Sequence, residues 1–407
     1  MGGKAALFLV CGFSLLFMVV AKNFGNITTR AVDNVVDYHD ETVAHNIAVS
    51  GANLAANQIF LNNSWNAGYE NTTFMNGKLD VTVAIINEFE DIKKVTSIGT
   101  FNGVAHQVEV TLSPSRFSKF AYYSVSEGGT IWWTNNDTVW GPFHTQDYMR
   151  AKLHPVFYGK ATTKRSLLYA TSKKNDYPKF YSGFEQGVDL PLPTDGLTPI
   201  EAIADDDGYK FESKDTVYLT FDEDSIKIRY QWNAKDTTVL TSGLAPNGVI
   251  FAKNSVVRLK GVVKGQYTVA VSGSTTSKGK VFLDDNIVYF KDPLVYSNST
   301  DLLGIVAKNE ILITQNSANN NHINIHASIY SESKGFGAEN YNTRPVSGNI
   351  NLVGGIIQNI RQAVGTTSGS NIVSGFAKRY KYDVRLMKSY PPAFPGTGKY
   401  EIVSWLE

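Results

Sequence analysis

A chain of 407 residues is too long for one small core, so two or three folded units are expected. Hydrophobic residues at 43% and charged ones at 18% place most of it in folded structure, and 38 Lys+Arg against 37 Asp+Glu leave neither a broad basic face for nucleic acid nor an acidic tail. The single cysteine, Cys11, excludes an intrachain disulfide and a multi-cysteine zinc site, so stability rests on packing and ladder hydrogen bonds.

After Met1-Gly2-Gly3-Lys4 comes an uncharged run, Ala5 to Ala21. It sits at the short edge for a membrane-spanning helix and the long edge for a secretory signal. One reading is a cleaved signal, with Val19-Val20-Ala21 as the cut site; the other is a retained anchor. The residues downstream of the run favour retention. No proline precedes Pro114, and apolar residues recur at helical spacing at Val32, Val35, Val36, Val43, Ile47, Leu54, Ile59 and Phe60. Ala44 to Ala56 forms a small-residue stretch that would admit another helix at close range. The pattern predicts one helix from residue 5 to about 61, roughly 85 Å long, with Gly25 and Gly51 as points where it would bend or break.

The Gly2-Gly3 leader, the Ala5–Ala21 run and the segment Ala44–Ala55 together resemble the start of a type IV pilin-like protein of the minor-subunit class. The wider chain, with its Gly141-Pro142-Phe143-His144-Thr145 stretch and C-terminal repeats, resembles a bacterial family of pilin-associated surface proteins. The resemblance implies trimming by a prepilin peptidase after Gly2 or Gly3. It implies a cell-surface, filament-forming or membrane-anchored role, and partners that are further copies or other pilin-like subunits. Assembly would bury Leu7, Phe8, Val10, Phe13, Leu16, Phe17 and Val20. One feature departs from the pattern: no acidic residue lies between Met1 and Asp33, where pilins place one near the mature start. A plain single-pass anchor with a coiled stalk is the alternative.

From about 78 to 245 the period changes to two. Leu79, Val81, Val83 and Ile85 alternate with polar neighbours, as do Val108, Val110 and Leu112, then Val217, Leu219 and Phe221, then Ile226, Ile228, Tyr230 and Trp232. Asn76-Gly77 and Asn102-Gly103 are turn signals, and an antiparallel domain is expected. Segments 173–178 and 190–193 read as loops, with a short helix near Pro199–Ala204.

Between 246 and 407 a short apolar motif recurs at 253–257, 284–288, 308–312, 326–330 and 353–357, each copy after a polar or glycine corner. Irregular spacing of this kind predicts a short β-solenoid. Asn254, Asn286 and Asn309 would form an asparagine ladder, and Tyr400–Trp405 would cap the stack. The expected class is therefore α+β, mostly β, in three parts: a helix over 1–61, an antiparallel domain over 62–245 and a β-helix over 246–407.

Chemistry-bearing residues are sparse. His144 and Asp147 read as a turn before they read as a base or a metal site. Asp205 and Asp207 form a fragment of a calcium loop without its closing glutamate. Asp222-Glu223-Asp224 reads as a strand-to-strand turn. His322 and His326 have no third zinc ligand placed beside them. Asp284 and Asp285 are a thin basis for a carbohydrate-active site, which would need several carboxylates and a base on neighbouring coils. Trp132, Trp133, Trp140, Tyr122 and Tyr123 are either a sugar-stacking surface or core. No GxxxxGK loop or GxSxG elbow occurs. The reading is a non-enzymatic surface subunit with no cofactor, surface glycans being the ligand class for its body. A carbohydrate-active β-helix enzyme or a glycan-binding adhesin is the alternative.

Overall fold

The computed structural model describes residues 2–87, 91–129, 131–192, 195–369 and 371–407, so Pro193 of the expected 190–193 loop lies outside the described residues. The chain is mostly β with one long N-terminal helix. It divides into two compact units, Met1–Ser115 with Gly398–Glu407, and Arg116–Thr397.

In the first unit α1 runs without interruption from Gly2 to Leu61. Four antiparallel strands come next: β1 (Tyr69–Phe74), β2 (Gly77–Asn87), β3 (Ile92–Phe101) and β4 (Val104–Arg116). Met75-Asn76 and Asn102-Gly103 make hairpin turns, each with both residues at positive φ, as a type I′ turn requires; Gly77, expected in the first turn, is already the first residue of β2. The fifth strand, Gly396–Leu406, returns from the far end of the sequence to lie beside β4. It does not cap a stack of coils. The 116–397 unit is thus an insertion between two neighbouring strands of one sheet.

The second half of α1 packs on this sheet through Ala44, Ile47, Ala48, Ala52, Ala55 and Ile59, all fully buried with Leu79, Val81, Val95, Val108 and Val110. Close approach explains the small residues. A Cβ on Gly99 would stand 2.2 Å from the Ala44 carbonyl oxygen, and one on Gly51 2.3 Å from Leu79 Cδ1. The Ala-rich face is taken by the sheet rather than by another helix. Gly51 is a contact point rather than a hinge, and at Gly25 the helix also continues.

The second unit is built on parallel ladders. One begins with Tyr209–Phe211, then Val249–Ala252, Gln266–Val271 and Leu302–Ala307. It continues through the later parts of Ile323–Ser331 and Val346–Ile360. Its next rungs come from early in the chain: Tyr122–Ser126, Phe143–Thr145, Ala161–Thr163 and Phe184–Gln186. Ile250, Val269, Ile305, Ile329, Ile356, Tyr122, Phe143 and Ala161 form its inward column. On the outer face Phe251, Val306, Tyr330, Ile357 and Tyr123 are covered by Phe117, Phe394 and the helix Thr198–Asp207. A second ladder links Thr216–Glu223, Val256–Val263, Lys280–Tyr289, Ile311–Ile313 and Phe336–Ala338. A third runs from Ile287 through Ile325, Leu352, Tyr380, Val139 and Phe157 to Phe180.

Antiparallel pairing therefore holds over β1–β4 and in the strand series Thr216–Glu223, Ser225–Arg229, Thr237–Leu240. The strands between 122 and 186 pair in parallel, against the antiparallel expectation; they are two to five residues long, too short for alternation to register. The recurring motif also falls differently from its sequence alignment. Ile329 and Ile356 do share a ladder, whereas Ile287 and Ile311 lie on different ones. The asparagine column is Asn286, Asn324 and Asn351, joined amide to amide at 3.1 and 3.0 Å. Asn254 and Asn309 instead bond to the 274–278 segment: Asn254 Oδ1 accepts from Ser274 N, and Asn309 Nδ2 donates to the carbonyls of Thr275 and Lys278.

Candidate functional site

The first half of α1 has nothing packed on it. Residues 3–39 are exposed without exception, and burial begins at Asp40. Leu7, Phe8, Val10, Phe13, Leu16, Phe17 and Val20 lie in this half, from 38% exposed at Val20 to 77% at Phe8. The helix contains an apolar window long enough to cross a membrane, none of it buried. Full burial of one such side chain contributes roughly 1.5–3 kcal/mol, so seven of them hold on the order of 10–20 kcal/mol for a partner or a bilayer. Beyond the uncharged run, Phe24, Ile27, Val32, Val35, Val36 and Tyr38 are exposed apolar residues set among exposed Lys22, Arg30, Asp33 and Asp37.

The second cluster of interest is buried in the 116–397 unit, where the early rungs meet the late ones. Glu127 is wholly buried and accepts from Tyr122 Oη at 2.7 Å, Ser124 Oγ, Trp133 Nε1 at 2.9 Å and Arg361 Nη1 at 2.7 Å. The Arg361 guanidinium lies 4.0 Å from the Trp133 ring centroid. One rung along, Lys378 Nζ sits 2.9 and 2.8 Å from the two oxygens of Asp137, and Asp137 also accepts from Thr134 N. Burial drives the Lys378 amine below its usual range against the pull of Asp137. For Arg361 burial works the same way, but Glu127, Tyr122 and Asp137 outweigh it and hold the charge. Burial, reinforced by Glu127, pushes the Tyr122 phenol well up. Glu127 is saturated by four donors and Asp137 accepts three hydrogen bonds, an arrangement that fixes geometry. No sequence pattern flags these pairs, because Glu127 and Arg361 stand 234 positions apart.

His144 lies in the strand Phe143–Thr145, and Asp147 in the bend that follows it. Asp147 accepts from the backbone N–H of Glu127 and Tyr148 at 3.0 and 2.7 Å, and Thr145 Oγ1 accepts from Asp147 N. His144 is wholly buried under Tyr123, its ring 5.4 Å from that phenol ring, and burial lowers its pKa to about 4. Asp205 and Asp207 lie in the last turn of a helix rather than in a loop, with Asp205 2.6 Å from Lys210 Nζ. Asp284 is held by both nitrogens of Arg258 and by Thr314, and Asp285 accepts from Asn286. His326 accepts from Tyr289 N, and His322 from Asn349 N. No three His, Cys, Asp or Glu residues gather to hold a metal ion among the described residues. Of the five aromatics, Trp133, Tyr122 and Tyr123 are core, while Trp132 and Trp140 reach the surface.

No family model matches the chain, and no curated protein sequence matches it. Among solved structures, the crystal structure of the competence-associated pilin ComZ from Thermus thermophilus aligns with 83% of this chain and 86% of its own. The identity is 14% and the TM-score 0.35, a likeness too loose to carry an argument.

Proposed function

We propose that this chain is a membrane-anchored, non-enzymatic surface subunit of the pilin-like kind, with its β-rich part on the outer side of a bacterial membrane. One observation carries the reading: α1 is a single rod, half of it fixed on a sheet by buried alanines and half of it greasy and bare. A helix exposing so much apolar side chain is unstable in water alone. Its uncharged run suits the hydrocarbon layer, while residues 22–39 suit contact with the same segment of neighbouring subunits, either further copies of this chain or other pilin-like proteins. The stacked ladders of residues 116–397 we read as a β-solenoid inserted into that anchoring module, a rigid display element.

The test is Leu16→Asp in the full chain. A carboxylate at the middle of the run costs on the order of 3 kcal/mol in a bilayer. The variant should leave the membrane or filament fraction while its β-rich part keeps native circular dichroism. Undiminished membrane retention and normal assembly would defeat the reading.

A further inference from the structure

The outer face of the third ladder carries a strip that the anchoring reading does not use. Pairing places Val353, Lys381 and Trp140 in one column on successive rungs, and ring stacking continues the column through Tyr158 and Tyr181. Asn351, Arg379, Thr138, Val156 and Lys179 form the column beside it. Trp140 and Tyr158 stack at 5.8 Å and 6°, and Tyr158 and Tyr181 at 4.7 Å and 9°. Exposure grows along the row, to 43% at Tyr158 and 62% at Tyr181. Buried aromatics elsewhere in this unit stabilise its core; these three line up in solvent, where their area contributes little to folding.

Charge along the strip is one-sided. Neither column contains a carboxylate, and Lys179, Arg379 and Lys381 are ion-paired with none among the described residues. Arg379 is held in place by the backbone oxygens of Asn136 and Lys378. At the Trp140 end a groove of about 570 Å³ is lined by Trp140, Asn349, Asn351, Val353, Arg379 and Lys381. Five rungs at about 4.8 Å span roughly 19 Å, so the fitting ligand is elongated and lies along the ladder.

We propose that this strip binds a linear acidic polysaccharide, its carboxylates on Arg379, Lys381 and Lys179, and its hydroxyls on the amides of Asn349 and Asn351 and on the phenol hydroxyls along the aromatic row. A single-stranded nucleic acid offers similar charge but needs one open ring face for each base. Here the rings stack on one another, which closes both faces of Tyr158 to a base. The row instead presents edges and phenol hydroxyls, which suit a polyhydroxylated chain. The proposal does not depend on how α1 is used.

Calorimetric titration of the full chain in detergent micelles tests it, with polygalacturonate as the acidic polymer, dextran as the neutral one and an oligothymidylate as the other polyanion. Polygalacturonate should bind, with affinity falling as salt rises, while dextran and the oligonucleotide bind at least tenfold more weakly. Lys381→Glu and Tyr181→Ala change exposed side chains and should each weaken polygalacturonate binding by about tenfold; Arg379→Gln is the third variant. No polygalacturonate binding, equal binding by all three variants, or equal or tighter binding of dextran or the oligonucleotide would overturn the proposal.

Discussion

Replacing Glu127 with glutamine keeps its shape and removes its charge, and the surroundings set the cost. The carboxylate accepts four hydrogen bonds, from Tyr122, Ser124, Trp133 and Arg361. A glutamine oxygen serves two of them, and its NH2 group then faces donors. The Arg361 side chain, only 2% exposed, loses its counter-charge. Breaking a buried pair by removing one partner costs about 3–5 kcal/mol, a factor of roughly 10²–10⁴ in the opening equilibrium of these rungs. Glu127→Leu with Arg361→Met removes both charges, and that alone is neutral or favourable by about 1–4 kcal/mol. It strands the Tyr122, Ser124 and Trp133 donors, at about 1–3 kcal/mol each where no water reaches them. The double variant should therefore be unstable, yet less so than the sum of the single ones. Hydrogen exchange of the amides in Tyr122–Ser126 and Ile356–Ile360 reads the opening of these rungs directly, and urea titration gives the whole-chain value. A Glu127→Gln loss under about 1 kcal/mol, or strict additivity in the cycle, would refute this account.

Gly99→Ala should destabilise the first unit by at least 1–3 kcal/mol, because its Cβ would meet the backbone of Ala44 and Ala48. Gly103→Ala, in open space at positive φ, should cost only about 1 kcal/mol; thermal unfolding of both variants checks the order. For His144, burial favours the neutral ring, with a folded pKa of about 4 against an ordinary 6.5. The unfolded chain then binds more protons between those values. Stability is full above pH 6.5, declines toward pH 4 by up to about 1.4 kcal/mol per pH unit, and this contribution levels off below. His144→Gln should flatten that slope in urea titrations across the window; an unchanged slope would count against the buried, neutral histidine.

The long helix was legible because its signal is local: no proline before Pro114, and apolar residues at helical spacing. Strands β2 and β4 were legible for the same reason, through alternation, and the β3–β4 hairpin through its Asn102-Gly103 turn. The illegible part is non-local. Tyr400–Trp405 looks like any short strand, and only pairing across the insertion assigns it to the sheet of α1. The alanines at 44, 48, 52 and 55 specify close approach without naming the approaching partner, and it is the sheet. Rungs such as Phe143–Thr145 and Ala161–Thr163 are three residues long and have no periodicity to detect. Among functional candidates, the apolar run was plain from composition. The Trp140–Tyr158–Tyr181 row needed the ladder register, since these residues come from three separate rungs.

The meeting of early and late rungs also sets an order of events in the making of this protein. Tyr122–Ser126 pairs on one side with Phe143–Thr145, close behind it in the chain, and on the other with strand residues 356–360. At about 5–20 residues per second, an interval of 234 residues leaves that edge without its neighbour for roughly 12–47 s. Glu127 waits there as a bare carboxylate, which disfavours pairing with a stray strand until Arg361 arrives. The same acid thus guards the nascent chain before it fastens the finished one.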